Sequence, residues 1–291
     1  MLTAKQVGQY REHGYTVFHG FLSSAEVEDL VAQIEAISAP ATFANYDASR
    51  LEMEPNQGPE GKSVRRIHEP CTHYPLFRSL SDSKKLVDAA EQLVGPNVLF
   101  HYSKINMKPP KIGSVVEWHQ DLAYYPLTNA DSVTVLFYLD DADATNGCLK
   151  VIPDRHCGPP LDHTLNGFFH GRVTQPVDDS QAVLLEAKAG SAIFMHCLTP
   201  HASAPNTSAK SRRTLILSYR AADAFPIYIG PTSVEAQAHV RLVRGEQVRT
   251  ARFTLSSFPI PHYPRETKSL YELQELSRTL SAKPSAASQR Q

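Results

Sequence analysis

From Asn97 onward the chain is a succession of short β-branched and aromatic runs separated by glycine, proline and asparagine, and no other feature restricts its fold as much. Val98-Leu99-Phe100-His101-Tyr102 opens a long strand that ends at Pro109-Pro110. Val133 to Leu139 reads as a buried strand, because β-branched and aromatic side chains fit a pleated surface packed on both faces. Asn146-Gly147 signals a hairpin turn into Cys148-Leu149-Lys150-Val151-Ile152. Val183 to Glu186 and Ser191 to His196 flank Gly190, and Thr214 to Tyr219 is a further strand. Many short strands with turn residues between them indicate a β-sandwich or barrel. Helical periodicity is confined to the N-terminal part. Thr3 caps a helix that runs to about His13 and stops at Gly14, and a short strand follows at Tyr15 to Phe18. Ser23 and Glu26 form a capping box ahead of Val27, Leu30, Val31, Ile34 and Ile37. Residues 38–63 read as a long surface loop with the reach of a lid, and Ser81 to Leu93 as another helix. The expected fold class is therefore mainly β, with helices packed on one face of the sheets.

Composition excludes several functions. Lys and Arg total 29 against 30 Asp and Glu, so the chain has no bulk attraction for nucleic acid or an anionic membrane. No apolar run reaches the roughly 18 residues needed to span a bilayer, and the N-terminus lacks the apolar segment of a secretory signal. Cys71, Cys148, Cys157 and Cys197 form no Cys-x-x-Cys pair and read as free thiols in a reducing cytoplasm. No P-loop, Gly-x-Gly-x-x-Gly or Gly-x-Ser-x-Gly is present, so neither nucleotide binding nor serine hydrolysis has motif support.

The chemistry concentrates at Glu117-Trp118-His119-Gln120-Asp121. On an extended chain, side chains two apart share a face, so His119 and Asp121 point together. Imidazole and carboxylate suit a first-row divalent metal, although among 13 histidines one His-x-Asp is unremarkable alone. His201, just after the Ser191–His196 strand, offers a third ligand. Two histidines and one carboxylate leave open metal positions, as in non-haem iron oxygenases. Arg212 opens the next strand, where a guanidinium can grip a carboxylate with paired hydrogen bonds. Arg213 faces the opposite way and is the competing choice, since strand register decides which of the two points inward. His196 reads as a support or core histidine, and His101 as a packed one. His156, His163 and His170 face substrate or solvent. Trp118 reads as packing, Gln120 points away from His119 and Asp121, and Tyr124 and Tyr125 line the substrate mouth or the core.

These residues, taken in order, resemble the phytanoyl-CoA dioxygenase family of Fe(II)/2-oxoglutarate oxygenases. The resemblance runs from Tyr10-Arg11-Glu12-His13-Gly14-Tyr15 to about Tyr219. It is carried by Gly95-Pro96-Asn97, Lys108-Pro109-Pro110, Trp118-His119-Gln120-Asp121-Leu122, Asn146-Gly147-Cys148-Leu149, Phe194-Met195-His196 and His201-Ala202-Ser203-Ala204-Pro205-Asn206. It implies a double-stranded β-helix, a cupin-like jelly roll. It also implies Fe(II) held by His119, Asp121 and His201, with 2-oxoglutarate and O2 as co-substrates. Arg212, helped by Ser203, would hold the distal carboxylate of 2-oxoglutarate. Phe137 would lie beside the co-substrate, and Lys104 and Arg66 would line its pocket. Ala202 stands where relatives usually have glycine, a small change.

The implied reaction converts 2-oxoglutarate to succinate and CO2 while hydroxylating an unactivated C–H bond of a small organic substrate. Asp121, where a Gly or Ala would open a position for halide, favours hydroxylation over halogenation. A non-catalytic jelly-roll binding protein and a cupin-type metalloenzyme independent of 2-oxoglutarate are the alternatives. Relatives act on acyl-CoA thioesters, amino-acid derivatives, phosphonates and natural-product skeletons. Lys108, Lys111, Arg155 and Arg172 are candidates for a surface that would meet the phosphates of a CoA ester. On this reading residues 1–280 form one domain, with helices over about 1–95, the jelly-roll core over about 96–222 and a C-terminal segment over 223–280; residues 281–291 form a disordered tail. The expected partner is a small molecule rather than nucleic acid or membrane, with the oligomeric state left open.

Overall fold

A computed structural model describes residues 1–55, 57–112, 114–227, 237–263, 273–275, 277 and 278, so the tail expected at 281–291 lies outside the described residues. The chain begins α1 (Ala4–His13), β1 (Tyr15–Phe18) and α2 (Ser24–Ser38), followed by β2 (Leu51–Met53) and β3 (Val64–His68). Three helices come next: α3 (Pro70–His73), α4 (Pro75–Ser81) and α5 (Lys84–Val94). Then come β4 (Val98–Lys108), β5 (Val116–His119), a 3-10 turn (Asp121–Ala123), β6 (Ser132–Tyr138) and β7 (Leu149–Val151). The short pair β8 (Thr164–Leu165) and β9 (Phe168–Phe169) precedes β10 (Val183–Leu185) and β11 (Ala192–His196). The last described strands are β12 (His201–Ser203), β13 (Arg212–Ala221) and β14 (Arg241–Arg244). Among the described residues no helix is long and apolar enough to cross a membrane.

Two sheets form the core. The larger has the order β1-β11-β6-β13-β4-β3-β2, with β14 also on β4; the smaller has the order β10-β7-β12-β5. Successive strands repeatedly change sheet, which is the wiring of a double-stranded β-helix. Strand alternation then sorts side chains onto two faces. Val135, Phe137, Ala192, Phe194, Leu215 and Leu217 pack on the N-terminal helices through Leu30, Ile34, Leu86 and Ala90. Leu136, Tyr138, Ile193, Met195 and Ile216 turn the other way and meet Leu149, Val151 and Leu185 of the smaller sheet. Burying one large apolar side chain is worth about 1.5–3 kcal/mol, so both faces are strongly specified.

The expected N-terminal caps are present. Thr3 accepts from the Gln6 N–H while the Gln6 side chain accepts from the Thr3 N–H, and Ser23 and Glu26 repeat the arrangement. Three local expectations are corrected. The 38–63 segment is not only a surface loop, because β2 joins the large sheet beside β3 and buries Leu51 and Met53. The helix expected from Ser81 starts at Lys84, after Ser83, and Ser81 instead ends α4. Asn146-Gly147 does not close a hairpin: β6 pairs with β11 and β13, whereas β7 pairs with β10 and β12. The turn carries the chain from one sheet to the other, and Gly147 supplies the left-handed backbone (φ 76°) that this corner requires.

Candidate active site

His119 ends β5 and His201 begins β12, and these two residues are direct antiparallel partners. Register thus places the two imidazoles side by side, with ring centroids 4.0 Å apart. Gln120 stays extended (φ −117°, ψ 133°), so Asp121 returns to the face of His119 before the 3-10 turn begins. Asp121 Oδ1 lies 3.9 Å from His119 Nε2 and 3.7 Å from His201 Nε2. One ligand atom from each of the three residues falls within 4.8 Å of the others, and all three are buried.

The surroundings prepare these groups for a cation. His119 Nδ1 lies 2.8 Å from the Glu117 carbonyl oxygen and His201 Nδ1 lies 3.0 Å from that of Thr199. A carbonyl only accepts, so each Nδ1 carries the proton and each Nε2 presents a lone pair. Burial, reinforced by the neighbouring His201, holds His119 well below its ordinary pKa; burial also lowers His201. Both are neutral at pH 7, the form that binds metal. Thr134 Oγ1 donates to Asp121 Oδ2 at 2.6 Å and lies 3.1 Å from Ser218 Oγ, leaving Oδ1 to face the histidines.

The triad lines one cavity with Arg66, Lys104, Asn106, Ser203, Arg212 and Leu136, among others. The smaller sheet contributes His119, His201 and Ser203, and the larger contributes the basic residues, so the cavity lies between the sheets. Of the two adjacent arginines, Arg212 is the one that lines this cavity. It is 4% exposed, and its Nη2 donates to the Gly147 carbonyl at 2.8 Å. Its Nε has no partner among the described residues, so a buried N–H remains for an incoming acceptor. Burial lowers its pKa from the ordinary arginine value, but not out of the cationic range at pH 7. Arg213 points outward, paired with Asp140 at 2.7 Å and Glu35 at 2.9 Å.

Arg66 is in the cavity but partnered, with Nε on Asn106 at 2.9 Å and Nη1 on Glu52 at 3.1 Å. Lys104 is half-buried on β4, and burial pushes its ammonium down to about 8. Phe137 is corrected. It is fully buried, packs on Phe21 with ring centroids 5.6 Å apart, and belongs to the core beneath the helices. Its neighbour Leu136 holds the cavity face, because adjacent strand residues alternate sides. Lys108 is also corrected. Its Nζ does not meet solvent but donates to the carbonyls of Ser114 at 2.5 Å and Ala204 at 2.6 Å, and burial drives its pKa to about 6.

Other histidines take supporting places. His163 Nε2 accepts from the Gln120 N–H at 3.0 Å, and Gln120 turns away from the triad toward the carbonyl of Leu198 at 2.6 Å. His196 accepts from the Leu198 N–H and sits against His156. His101 packs on Tyr125 with ring centroids 4.6 Å apart. Tyr124 stands edge-on to His119 at 5.5 Å and donates to the Gly171 carbonyl. Thr134, Glu54 and Arg65 also line the cavity and were not legible as site residues. A threonine inside an apolar strand has no sequence mark, and the other two come from segments with no periodicity.

A jelly roll with two histidines and a carboxylate converging between its sheets defines the class of non-haem iron oxygenases. The family model described as "Phytanoyl-CoA dioxygenase (PhyH)" matches residues 10–214, and the chain belongs to that family. It is 34% identical over 231 residues to a probable alpha-ketoglutarate-dependent hypophosphite dioxygenase of Stutzerimonas stutzeri, covering 77% of this chain and 80% of that one. It is 30% identical over 221 residues to a methylphosphonate hydroxylase of Gimesia maris, covering 76% and 81%. The crystal structure of EctD from S. alaskensis with bound Fe superposes with a TM-score of 0.67 at 24% identity, covering 85% and 88%, and shares the fold. The chain is a 2-oxoglutarate-dependent non-haem iron dioxygenase, with iron, 2-oxoglutarate and O2 as its cofactor and co-substrates.

Proposed function

We propose that His119, Asp121 and His201 hold the iron, that Arg212 and Ser203 receive the distal carboxylate of 2-oxoglutarate, and that the enzyme hydroxylates a small molecule. The observation that carries this reading is the buried, unpartnered Nε of Arg212 in the same cavity as the triad. A buried polar donor left without an acceptor costs about 1–3 kcal/mol, and a carboxylate removes that cost while pairing with the charge. Arg66 of β3 and Lys104 of β4 line the same cavity. The two imidazoles bind as neutral donors held by carbonyls, and Thr134 keeps Asp121 turned toward them. Iron with 2-oxoglutarate and O2 supplies the oxidising power. The protein supplies a site buried between two sheets, which excludes water from the reaction.

The family match together with the packing of Leu273 against Phe169 supports one domain over 1–280. The free, buried thiols of Cys71, Cys148 and Cys197 support a cytoplasmic location. The test is succinate release with ferrous iron, 2-oxoglutarate and O2. Asp121→Ala is expected to lower it at least 100-fold while circular dichroism stays native. Full activity in that variant would remove the assignment. Arg212→Ala is expected to raise the KM for 2-oxoglutarate more than it lowers kcat. An enzyme indifferent to Arg212→Ala would be a cupin-type enzyme that does not use 2-oxoglutarate.

A further inference from the structure

The basic residues of the cavity are not equally satisfied. Arg65 and Arg66 both reach Glu52, at 3.4 and 3.1 Å. Lys108 is held by two carbonyls. Arg212 is reserved, on the reading above, for 2-oxoglutarate. Lys104 differs. It lies on β4 between His68 of β3 and Ile216 of β13, and lines the cavity with the triad. Among the described residues its Nζ has no hydrogen bond or ion pair, and it lies over the face of Tyr102, 5.4 Å from the ring centre.

Two acids are close enough to influence Lys104, and neither is available to pair with it. Asp121 faces the histidines and Thr134. Glu69 Oε2 accepts from the N–H and O–H of Ser103, both at 3.3 Å, and burial raises the Glu69 carboxyl to about 7. Ferrous iron, Asp121, the dianion of 2-oxoglutarate and the Arg212 cation together are electrically neutral. Lys104 therefore remains as a half-buried positive charge in the cavity of the triad, with no hydrogen-bond or ion-pair partner among the described residues, and such a charge is costly until an anion meets it.

We infer that the substrate is a small oxyanion, and that Lys104 is the residue that binds its charge. This rests on the reading of the site given above. The shared chemistry is one negative oxygen group within reach of an ammonium, as a phosphorus oxyanion or a carboxylate provides. An ammonium suits either, being a compact point charge with three rotatable donors. The class also fits the site better than a long acyl-CoA thioester, since Lys108, which lines the same cavity, is buried on the carbonyls of Ser114 and Ala204 and not free for phosphates.

The test is binding of hypophosphite, methylphosphonate and propionate to the protein loaded with iron and 2-oxoglutarate, measured anaerobically by calorimetry, with neutral dimethyl methylphosphonate as control. At least one anion is expected to bind and the neutral ester is not; which anion binds separates phosphorus from carboxylate substrates. Lys104→Met is expected to weaken that anion at least tenfold and to leave 2-oxoglutarate affinity within about twofold, while Lys104→Arg restores most of the loss. Binding of the neutral ester as tightly as the anions overturns the inference. So does anion binding unchanged in Lys104→Met, or a Lys104→Met protein that loses 2-oxoglutarate instead. Normal 2-oxoglutarate binding with no anion binding overturns this inference alone. A wild-type protein that binds iron but no 2-oxoglutarate overturns the reading of the site beneath it.

Discussion

Thr134 shows how a single hydroxyl can prepare a charged ligand. Asp121 is 3% exposed, and a buried carboxylate needs hydrogen bonds to hold its orientation. Thr134 supplies one at 2.6 Å, and Ser218 Oγ, 3.1 Å from Thr134, can donate in turn to its oxygen. Removing a partner of a metal ligand commonly costs 10–100-fold in metal affinity. Thr134→Val, close to isosteric, is expected to weaken Co(II) binding about tenfold in a spectroscopic titration, and Thr134→Ser to restore it. Unchanged affinity in Thr134→Val would show that the hydroxyl does not orient the carboxylate. His119 and Asp121 stand out in the sequence because they are adjacent on one extended segment. Thr134 does not, because its role exists only once β6 lies across the cavity from Asp121. The same limit explains Phe137: its aromatic character is plain in the sequence, but its face is set by pairing with Ala192 and Leu215.

The elements that could be read in advance are those defined by near neighbours. The capping boxes at Thr3 and Ser23, and the hydrophobic alternation of β6, β11 and β13, depend on a few residues each. The turns at Gly147 and Gly190 were visible as turns, but not as passages between sheets. Both glycines are left-handed, at φ 76° and 84°. A Cβ on Gly147 would overlap the carbonyl oxygen of Ala204, and one on Gly190 would overlap that of Leu22. Gly147 also presents the carbonyl that receives Arg212. Gly147→Ala is therefore expected to destabilise the fold by roughly 1–3 kcal/mol, from backbone strain, and to raise the 2-oxoglutarate KM by displacing the guanidinium. Equal thermal stability of variant and wild type would mean that this corner relaxes without strain. The short strands β2, β3 and β5 were less legible, since three to five residues give too little periodicity to separate strand from loop.

At the scale of the molecule, the proposed metal site joins parts of the chain far apart in sequence, so metal binding there would be thermodynamically linked to the fold. A ligand present at 100 times its Kd stabilises the state that binds it by about 2.7 kcal/mol. For a domain of this size that is a rise in melting temperature of roughly 4–5 °C. Saturating Mn(II) is expected to produce such a rise in wild type, reversed by chelator, and to leave Asp121→Ala nearly unmoved. The same rise in Asp121→Ala would place the metal elsewhere. Local chemistry written in the chain established the mainly β class, the N-terminal helices, the His-x-Asp pair and the absence of nucleotide motifs, because each depends on residues only a few positions apart. Tertiary closure decided the rest. It made His119 and His201 cross-strand partners, turned Arg212 rather than Arg213 and Leu136 rather than Phe137 into the cavity, and left Lys104 without an ion-pair partner among the described residues. Those outcomes depend on which strands pair and in what register. A shift of one residue reverses every side chain's face, and no short stretch of sequence contains the information that sets it.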